Sequence, residues 1–348
     1  MTLISNPLID AQTRLRVQQT LDRLSNTIGP SDQQLLMQLE NALLSRNSDA
    51  QKGSAQNTYL KEFEIPQIKL FDILANHFPL VLESQQMAHE CLLRAMRDCQ
   101  HLCIVDLGIG RSVQMQRLLQ ILNRVPSIKK VTLIGVDIMQ HALLHSEQLL
   151  THEKPNLQFT FDFHLLHDVV EKMDFAHLRS LIPSDHDFLY INASLTLHHV
   201  QQGEERDALF RNCKGLSPNL MTLIEPNTST FTNDFGLRVE RAIEHFYALY
   251  DYTHRLPLQE EEKRSLKTFF GNDFFDPIAH ADEARYEKLE RGEEWIARAT
   301  HAGFIPFVEK DPVALRKIEN IDLRIDDAQY TSFCYKGVDL LSLIHLHQ

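Results

Sequence analysis

The chain has 348 residues, of which 43% are hydrophobic and 24% charged, with only 12 glycines and 13 prolines. These values exclude a small stapled module, a low-complexity chain and wholesale disorder; at ~150 residues per domain they predict about two units or one enlarged domain. A formal charge of -12 without any Lys/Arg-rich run opposes direct nucleic-acid binding, because such affinity comes from neutralising phosphates.

No apolar run approaches the ~18–20 residues of a bilayer span, and the start MTLISNPLID lacks the basic and apolar parts of a secretion signal. No membrane association is expected. Cys91, Cys99, Cys103, Cys213 and Cys334 form no CxxC pair and read as reduced core thiols of a cytoplasmic protein.

Residues 1–100 are expected to form an α-helical cap. Leu15, Val17, Leu21, Leu24 and Ile28 recur at roughly helical spacing up to Gly29-Pro30, and Ser31-Asp32 can cap a second helix bearing Leu35, Leu36, Leu39 and Leu43. Polar Ser45 to Asn57 reads as a loop, and Ser84 to Asp98 as a further helix. Residues 101–226 then alternate short β-branched runs with helix patterns. The strands are expected at Leu102 to Asp106, Val131 to Val136, Leu157 to Phe163, Phe188 to Ile191 and Leu220 to Ile224, which predicts a mostly parallel, doubly wound α/β sheet. Residues 227–302 read as a helical insertion that contributes to the cap. It would include Phe235 to Tyr250 and a charged helix from Asp282 to Thr300 with Glu287/Arg291 and Glu294/Arg298 pairs. Residues 303–348 supply the final strands, at Phe304 to Val308 and in an edge hairpin of Thr331 to Tyr335 with Leu340 to His347.

The first strand ends in Asp106-Leu107-Gly108-Ile109-Gly110, the strand, glycine turn and helix order of a Rossmann nucleotide loop. The third glycine of a dinucleotide loop is replaced by Ser112-Val113, which favours S-adenosylmethionine, a ligand without a pyrophosphate. Asp106, Gly108 and Gly110 would hold this cofactor. Asp137, at the end of the second run, suits the ribose hydroxyls; Asp162 would reach the adenine amino group, and Asn192, near the end of the fourth run, can donate and accept beside them. His198 or its neighbour His199 is a candidate general base and Glu225 a candidate catalytic carboxylate at the fifth strand end. Arg238, His245 and Tyr247 would line an acceptor pocket, Arg238 offering a bidentate cation to an acidic acceptor. Neither His141/His145 nor His345/His347 brings a third ligand, so no metal is expected.

These residues resemble the GRAS family. CIVDLGIGRSVQMQRLLQIL (Cys103 to Leu122) is similar to its VHIID region, LYINASLTLHHV to the apolar strand that ends in Leu-His-His, and Gly215 to Arg255 to its next block. Arg285, Glu290, Arg291, Trp295, Arg298, Gly303 and Phe304 match the segment before the last strands. The resemblance implies a Rossmann-like fold of the S-adenosylmethionine methyltransferase type beneath an α-helical cap. Leu343-Ile344-His345 stands where the family's closing tryptophan would be, and long Ser/Gln-rich tails are missing; both features resemble compact bacterial-type members. The resulting expectation is a cytoplasmic protein that binds S-adenosylmethionine or a related small molecule, as a small-molecule methyltransferase. The alternative is a noncatalytic regulator acting through protein partners, as plant GRAS transcriptional regulators do, with Leu15, Leu21, Leu24, Leu35 and Leu39 as the docking surface.

Overall fold

The structure, a computed structural model, describes residues 10–46, 67–282, 284–309 and 316–348. The loop expected between Ser45 and Asn57 lies outside these residues from position 47 onward.

Two capped helices open the described chain. In α1 (Ala11–Thr27), Asp10 accepts the Thr13 backbone N–H at 2.8 Å, and positive-φ Gly29 follows the helix end. In α2 (Gln33–Ser45), Asp32 accepts the Gln34 N–H at 2.9 Å. After α3 (Gln67–His77), the helix expected from Ser84 begins earlier: α4 spans Pro79–Ala95, with Pro79 in its first turn where the missing N–H is harmless.

The sheet then builds outward from its centre. Strands β1 (His101–Leu107), β2 (Lys130–Asp137), β3 (Thr160–His167), β4 (Phe188–Ser194) and β5 (Leu220–Pro226) pair in parallel in the order 3-2-1-4-5. Strands β1, β4 and β5 are buried along nearly their whole length, as central strands covered on both faces require. The connections are α5 (Val113–Leu122), α6 (Gln140–Glu153), α7 (Phe175–Leu181) and α8 (Gly203–Gly215).

Beyond β5 come α9 (Phe235–Arg255), α10 (Glu260–Ala279) and α11 (Gly292–His301), followed by β6 (Ile305–Phe307), β7 (Asp322–Ile325), β8 (Thr331–Tyr335) and β9 (Val338–His347). Strand β9 runs antiparallel to β5, and β8 and β7 extend the sheet past it, while β6 also pairs with β9. The β8–β9 hairpin therefore lies inside the sheet and not at its edge, because β7 covers its outer side.

Helix α9 packs on α1 and α10, and α10 on α2, so the two separated helical regions share one core that includes Leu24, Leu39, Ile243, Phe246 and Phe274. Leu24, Leu35 and Leu39 are buried there and offer no docking surface, whereas Leu15 is 57% exposed. Helix α10 is packed from two sides and carries no single apolar stripe, so its sequence lacks the helical pattern. The charged helix expected from Asp282 is shorter. Its described residues up to Arg291 are non-helical: the Asp276 carboxylate accepts the N–H of Tyr286 at 2.7 Å and of Glu287 at 2.6 Å, and α11 starts only where Glu294 caps the Arg291 N–H.

Candidate functional site

A cavity of about 300 Å³ opens at the carboxyl ends of the parallel strands, beneath α3, α9 and α10. Ligands bind open α/β sheets at this crevice, where the strand order reverses. One end is bounded by Asp106, Gly108, Gly110, Asp137 and Asp168. The other is apolar, with Phe78, Phe246, Leu249 and Phe269 among its walls, and meets His198 and His199.

The glycine turn has two different causes. Gly108 (φ +81°) lies where an added Cβ would sit 2.0 Å from Thr196 Oγ1, so close packing of the β1 and β4 exits excludes any side chain. At Gly110 (φ +55°) a Cβ would meet nothing within 4 Å; only the left-handed backbone favours glycine, and the adjacent space is open. The turn is fastened from β2: Asp137 Oδ2 accepts the Gly110 N–H and Oδ1 the Met139 N–H, each at 2.8 Å. Burial raises the Asp137 pKa, against these two hydrogen bonds that lower it.

Asp106 stands deeper. Asn192, its partner in the β1–β4 register, donates Nδ2–H to Asp106 Oδ1 at 2.7 Å and accepts from Gln114 and Tyr190 at 3.2 Å. Burial pushes the Asp106 carboxyl up to about 7, partly opposed by the Asn192 hydrogen bond. Asp106 and Gln114 face the cavity, but Asn192 is fully buried behind them and is absent from the lining. Its amide is spent on Asp106, Gln114 and Tyr190.

Asp162 is misplaced by the strand boundary drawn from sequence. Strand β3 continues to His167, and its register sets Asp162 beside Thr132 in the first half of β2, while His167 is beside Asp137. Asp162 is exposed and paired with Lys154 at 3.5 Å. The acid at the correct end is Asp168, just past the strand, whose N–H donates to the Asp137 carbonyl at 3.2 Å. The sequence signal was available: continuing the run through Leu165-Leu166 ends it at His167-Asp168.

His198 and Glu225 do come together. Imidazole Nδ1 lies 2.6 Å from Glu225 Oε2, and the other carboxylate oxygen accepts the N–H of Leu197 (2.7 Å) and of Thr196 (3.1 Å). Glu225 is fully buried and does not line the cavity, so it acts through His198 and the turn. Burial lowers the His198 pKa, and the neighbouring His199 adds to this.

The three acceptor candidates separate. His245 lines the cavity, its ring held neutral by burial that lowers its pKa to about 4. Arg238 does not: its guanidinium donates to the Thr232 carbonyl at 2.8 Å and pairs with Asp282 at 3.2 Å, anchoring the start of the segment after α10. Tyr247 is turned away as well, donating to the Gly29 carbonyl at 2.6 Å and accepting from Ser31 at 3.1 Å, which ties the α1–α2 link to α9. Both side chains are held within the cap and neither lines the cavity.

Residues missed from sequence include Thr196, Gln85 on α4 and Glu287 as the partner of His199, whose Nδ1 lies 3.2 Å from Glu287 Oε2. Burial lowers the His199 pKa, but the Glu287 carboxylate beside it more than compensates and the net shift is upward. Eighty-eight positions separate the two residues, so no spacing rule could join them.

The parallel order 3-2-1-4-5, the antiparallel strand that follows, and the cavity beside the glycine turn define a Rossmann-like α/β fold of the S-adenosylmethionine methyltransferase type with a helical cap. The chain belongs to the GRAS domain family, whose model matches residues 7–321. It is 29% identical over 233 residues to chitin-inducible gibberellin-responsive protein 2 of Oryza sativa subsp. japonica, covering 63% of this chain and 42% of that protein. Scarecrow-like transcription factor PAT1 of Arabidopsis thaliana is 25% identical over 234 residues, covering 63% and 47% respectively. The chain thus spans less than half the length of these relatives. The crystal structure of SCL7 from Oryza sativa superposes with a TM-score of 0.78 at 18% identity, covering 99% of this chain and 98% of that one. Among the described residues, no helix is long and apolar enough to cross a membrane.

Proposed function

We propose that this GRAS protein binds S-adenosylmethionine in the crevice and transfers its methyl group to a small, largely apolar molecule in the cytoplasm. The observation that carries the reading is the continuity of one cavity, which touches the glycine turn and Asp137 at one end and His198 with an apolar chamber at the other. The residues fit the donor in part by charge and in part by space. Asp137 and Asp168 present carboxylates at adjacent strand ends, suited to ribose hydroxyls and an adenine amino group, and Gly110 leaves open room beside them. When bound, the donor would supply an electrophilic methyl group; the chain's own task is to place the acceptor in line and exclude water.

The lining also selects the acceptor. Arg111, at the donor end, is the only Arg or Lys among the lining residues described, whereas Asp273 and Glu171 are acidic. With Arg238 turned to Asp282 and Arg111 at the donor end, the described lining offers no Arg or Lys at the acceptor end, and a neutral or amine-bearing apolar molecule is favoured. Incubating the protein with labelled methyl donor and fractionated metabolite extracts tests the reaction. Label should appear in a small apolar product and disappear with His198→Ala; donor binding without any transfer would refute methyl transfer.

A second reading rests on the relatives, one of which is named a transcription factor. Here the protein is a noncatalytic regulator, and exposed Leu15, Met37 and Leu44 on the first two helices contact a protein partner. Charge substitutions at these three positions should then abolish recovery of a specific partner, and unchanged recovery would remove the surface from consideration.

A further inference from the structure

Where β4 leaves the sheet, the chain turns through a short 3-10 segment, Leu197–His199, that brings two consecutive imidazoles together with ring centroids 3.9 Å apart. Glu287 approaches from the non-helical segment after α10. One ligating atom from each of His198, His199 and Glu287 lies within 4.8 Å of the others, and both histidines face the cavity.

From this geometry we propose that His198, His199 and Glu287 bind a divalent transition-metal ion of the zinc class. Two imidazoles and one carboxylate, with a remaining position toward a cavity, are the donor set and count of an open zinc site; a closed structural site would use four protein ligands. No cysteine belongs to the cluster, so the set is of borderline hardness and suits zinc, cobalt(II) or nickel(II). Ligand atoms around tetrahedral zinc lie ~3.3 Å apart, given metal–ligand bonds of about 2.0–2.1 Å. His199 Nδ1 and Glu287 Oε2 already have a 3.2 Å separation. Closing the remaining distances, which are at most 4.8 Å, needs side-chain movement of up to about 1.5 Å by the same bond lengths.

The surroundings meet a further requirement of such sites. A metal-bound histidine usually gives its second ring nitrogen to a carboxylate, which fixes the ring and makes it a better ligand. Glu225 already occupies that place, 2.6 Å from His198 Nδ1, leaving Nε2 of His198 as the coordinating nitrogen. The two halves of the cluster are also bound to each other. Buried Arg206 donates to the carbonyls of His198 at 3.0 Å and Lys288 at 2.7 Å, and Asp276 receives the Glu287 N–H. Three buried charged side chains thus hold the ligand-bearing backbones in place, one on a strand end and the others on helices. The open position would take a hydroxyl, thiol or water from the cavity and lower its pKa.

The test uses the full chain, stripped with chelator and dialysed against zinc(II) or cobalt(II) in separate arms. One ion per chain should bind, the cobalt form should show the visible bands of a tetrahedral site, and X-ray absorption should find nitrogen and oxygen neighbours at about 2.0 Å. Glu287→Gln and His199→Ala should each abolish stoichiometric binding, and Glu225→Gln should weaken it by about tenfold or more. No binding by the wild-type chain, sulfur neighbours in its absorption spectrum, or full binding by folded Glu287→Gln would each overturn the assignment. The wild-type spectrum decides the matter even if a variant fails to fold.

Discussion

Arg206, in the first turns of α8, joins segments that are 90 positions apart in sequence: its guanidinium donates to the carbonyls of both His198 and Lys288 and pairs with Glu290 at 2.8 Å. It is fully buried, and burial is the main cause lowering its pKa, offset by Glu290. Arg206→Met would leave Glu290 and the backbone carbonyls short of a donor. Breaking a buried pair from one side costs about 3–5 kcal/mol. Chemical denaturation should show a loss of that order; a loss below about 1 kcal/mol, the worth of an exposed pair, would contradict the role assigned to Arg206.

Glu225 gives a companion prediction about geometry. Its carboxylate accepts two backbone N–H groups and holds His198, so Glu225→Ala strands two buried groups and one partly buried group at once. A loss of about 3–5 kcal/mol is expected, since buried donors without acceptors cost about 1–3 kcal/mol each and are not additive. Glu225→Gln keeps an oxygen acceptor and should lose clearly less. Equal losses in thermal unfolding would mean that hydrogen-bond acceptance is not what matters there.

The two glycines of the turn should respond differently. Gly110→Ala meets no neighbour and pays only for its left-handed backbone, about 1–2 kcal/mol. Gly108→Ala adds a collision with Thr196 and should be the more destabilising by at least about 1 kcal/mol, the lower range for overpacking. Combining Gly108→Ala with Thr196→Ala should recover part of the difference. No recovery would show that Thr196 is not the obstacle.

Stability should fall on acidification. Burial lowers His89, His245 and His345 to about 4 from a usual 6.5, so unfolding takes up protons at these sites between those values. Asp106 works in the opposite sense: its carboxyl, raised from 3.8 to about 7, releases a proton on unfolding across much of the same range. His198, also lowered, adds to the uptake, and Asp137 and Glu171, also raised, add to the release; the three strongly lowered imidazoles outweigh Asp106 near pH 5, and each proton is worth about 1.4 kcal/mol per pH unit. Unfolding free energy should therefore drop from pH 6.5 toward 4, and less steeply in His245→Gln. A flat profile in this window would show that these rings are not held neutral.

Much of the scaffold was legible in the sequence because central parallel strands are continuous β-branched runs with glycine and aspartate at their exits. The cap helices announced themselves through leucine spacing, Asp32 capping and the Gly29 stop. What escaped notice depends on contacts that local pattern does not contain. Helix α10 lacks a stripe because it is packed on two sides, and β3 was ended too soon because edge position makes its pattern mixed. Asp106, Asp137, Gly108 and Gly110 were named from their strand-end positions, and all four line the cavity. Arg238 and Tyr247 look like ligand contacts in sequence, and only the folded cap shows that Asp282 and Gly29 consume them. The His199–Glu287 pairing required a segment that charge spacing had suggested was helical.

Calorimetric titration of the full chain with S-adenosylmethionine tests the central claim most directly. The account predicts saturable binding of one molecule per chain, weakened by about tenfold or more in Asp168→Asn, since a lost charge-assisted hydrogen bond is worth about 1.5–3 kcal/mol. No heat at millimolar ligand, from a chain shown to be folded, would contradict it.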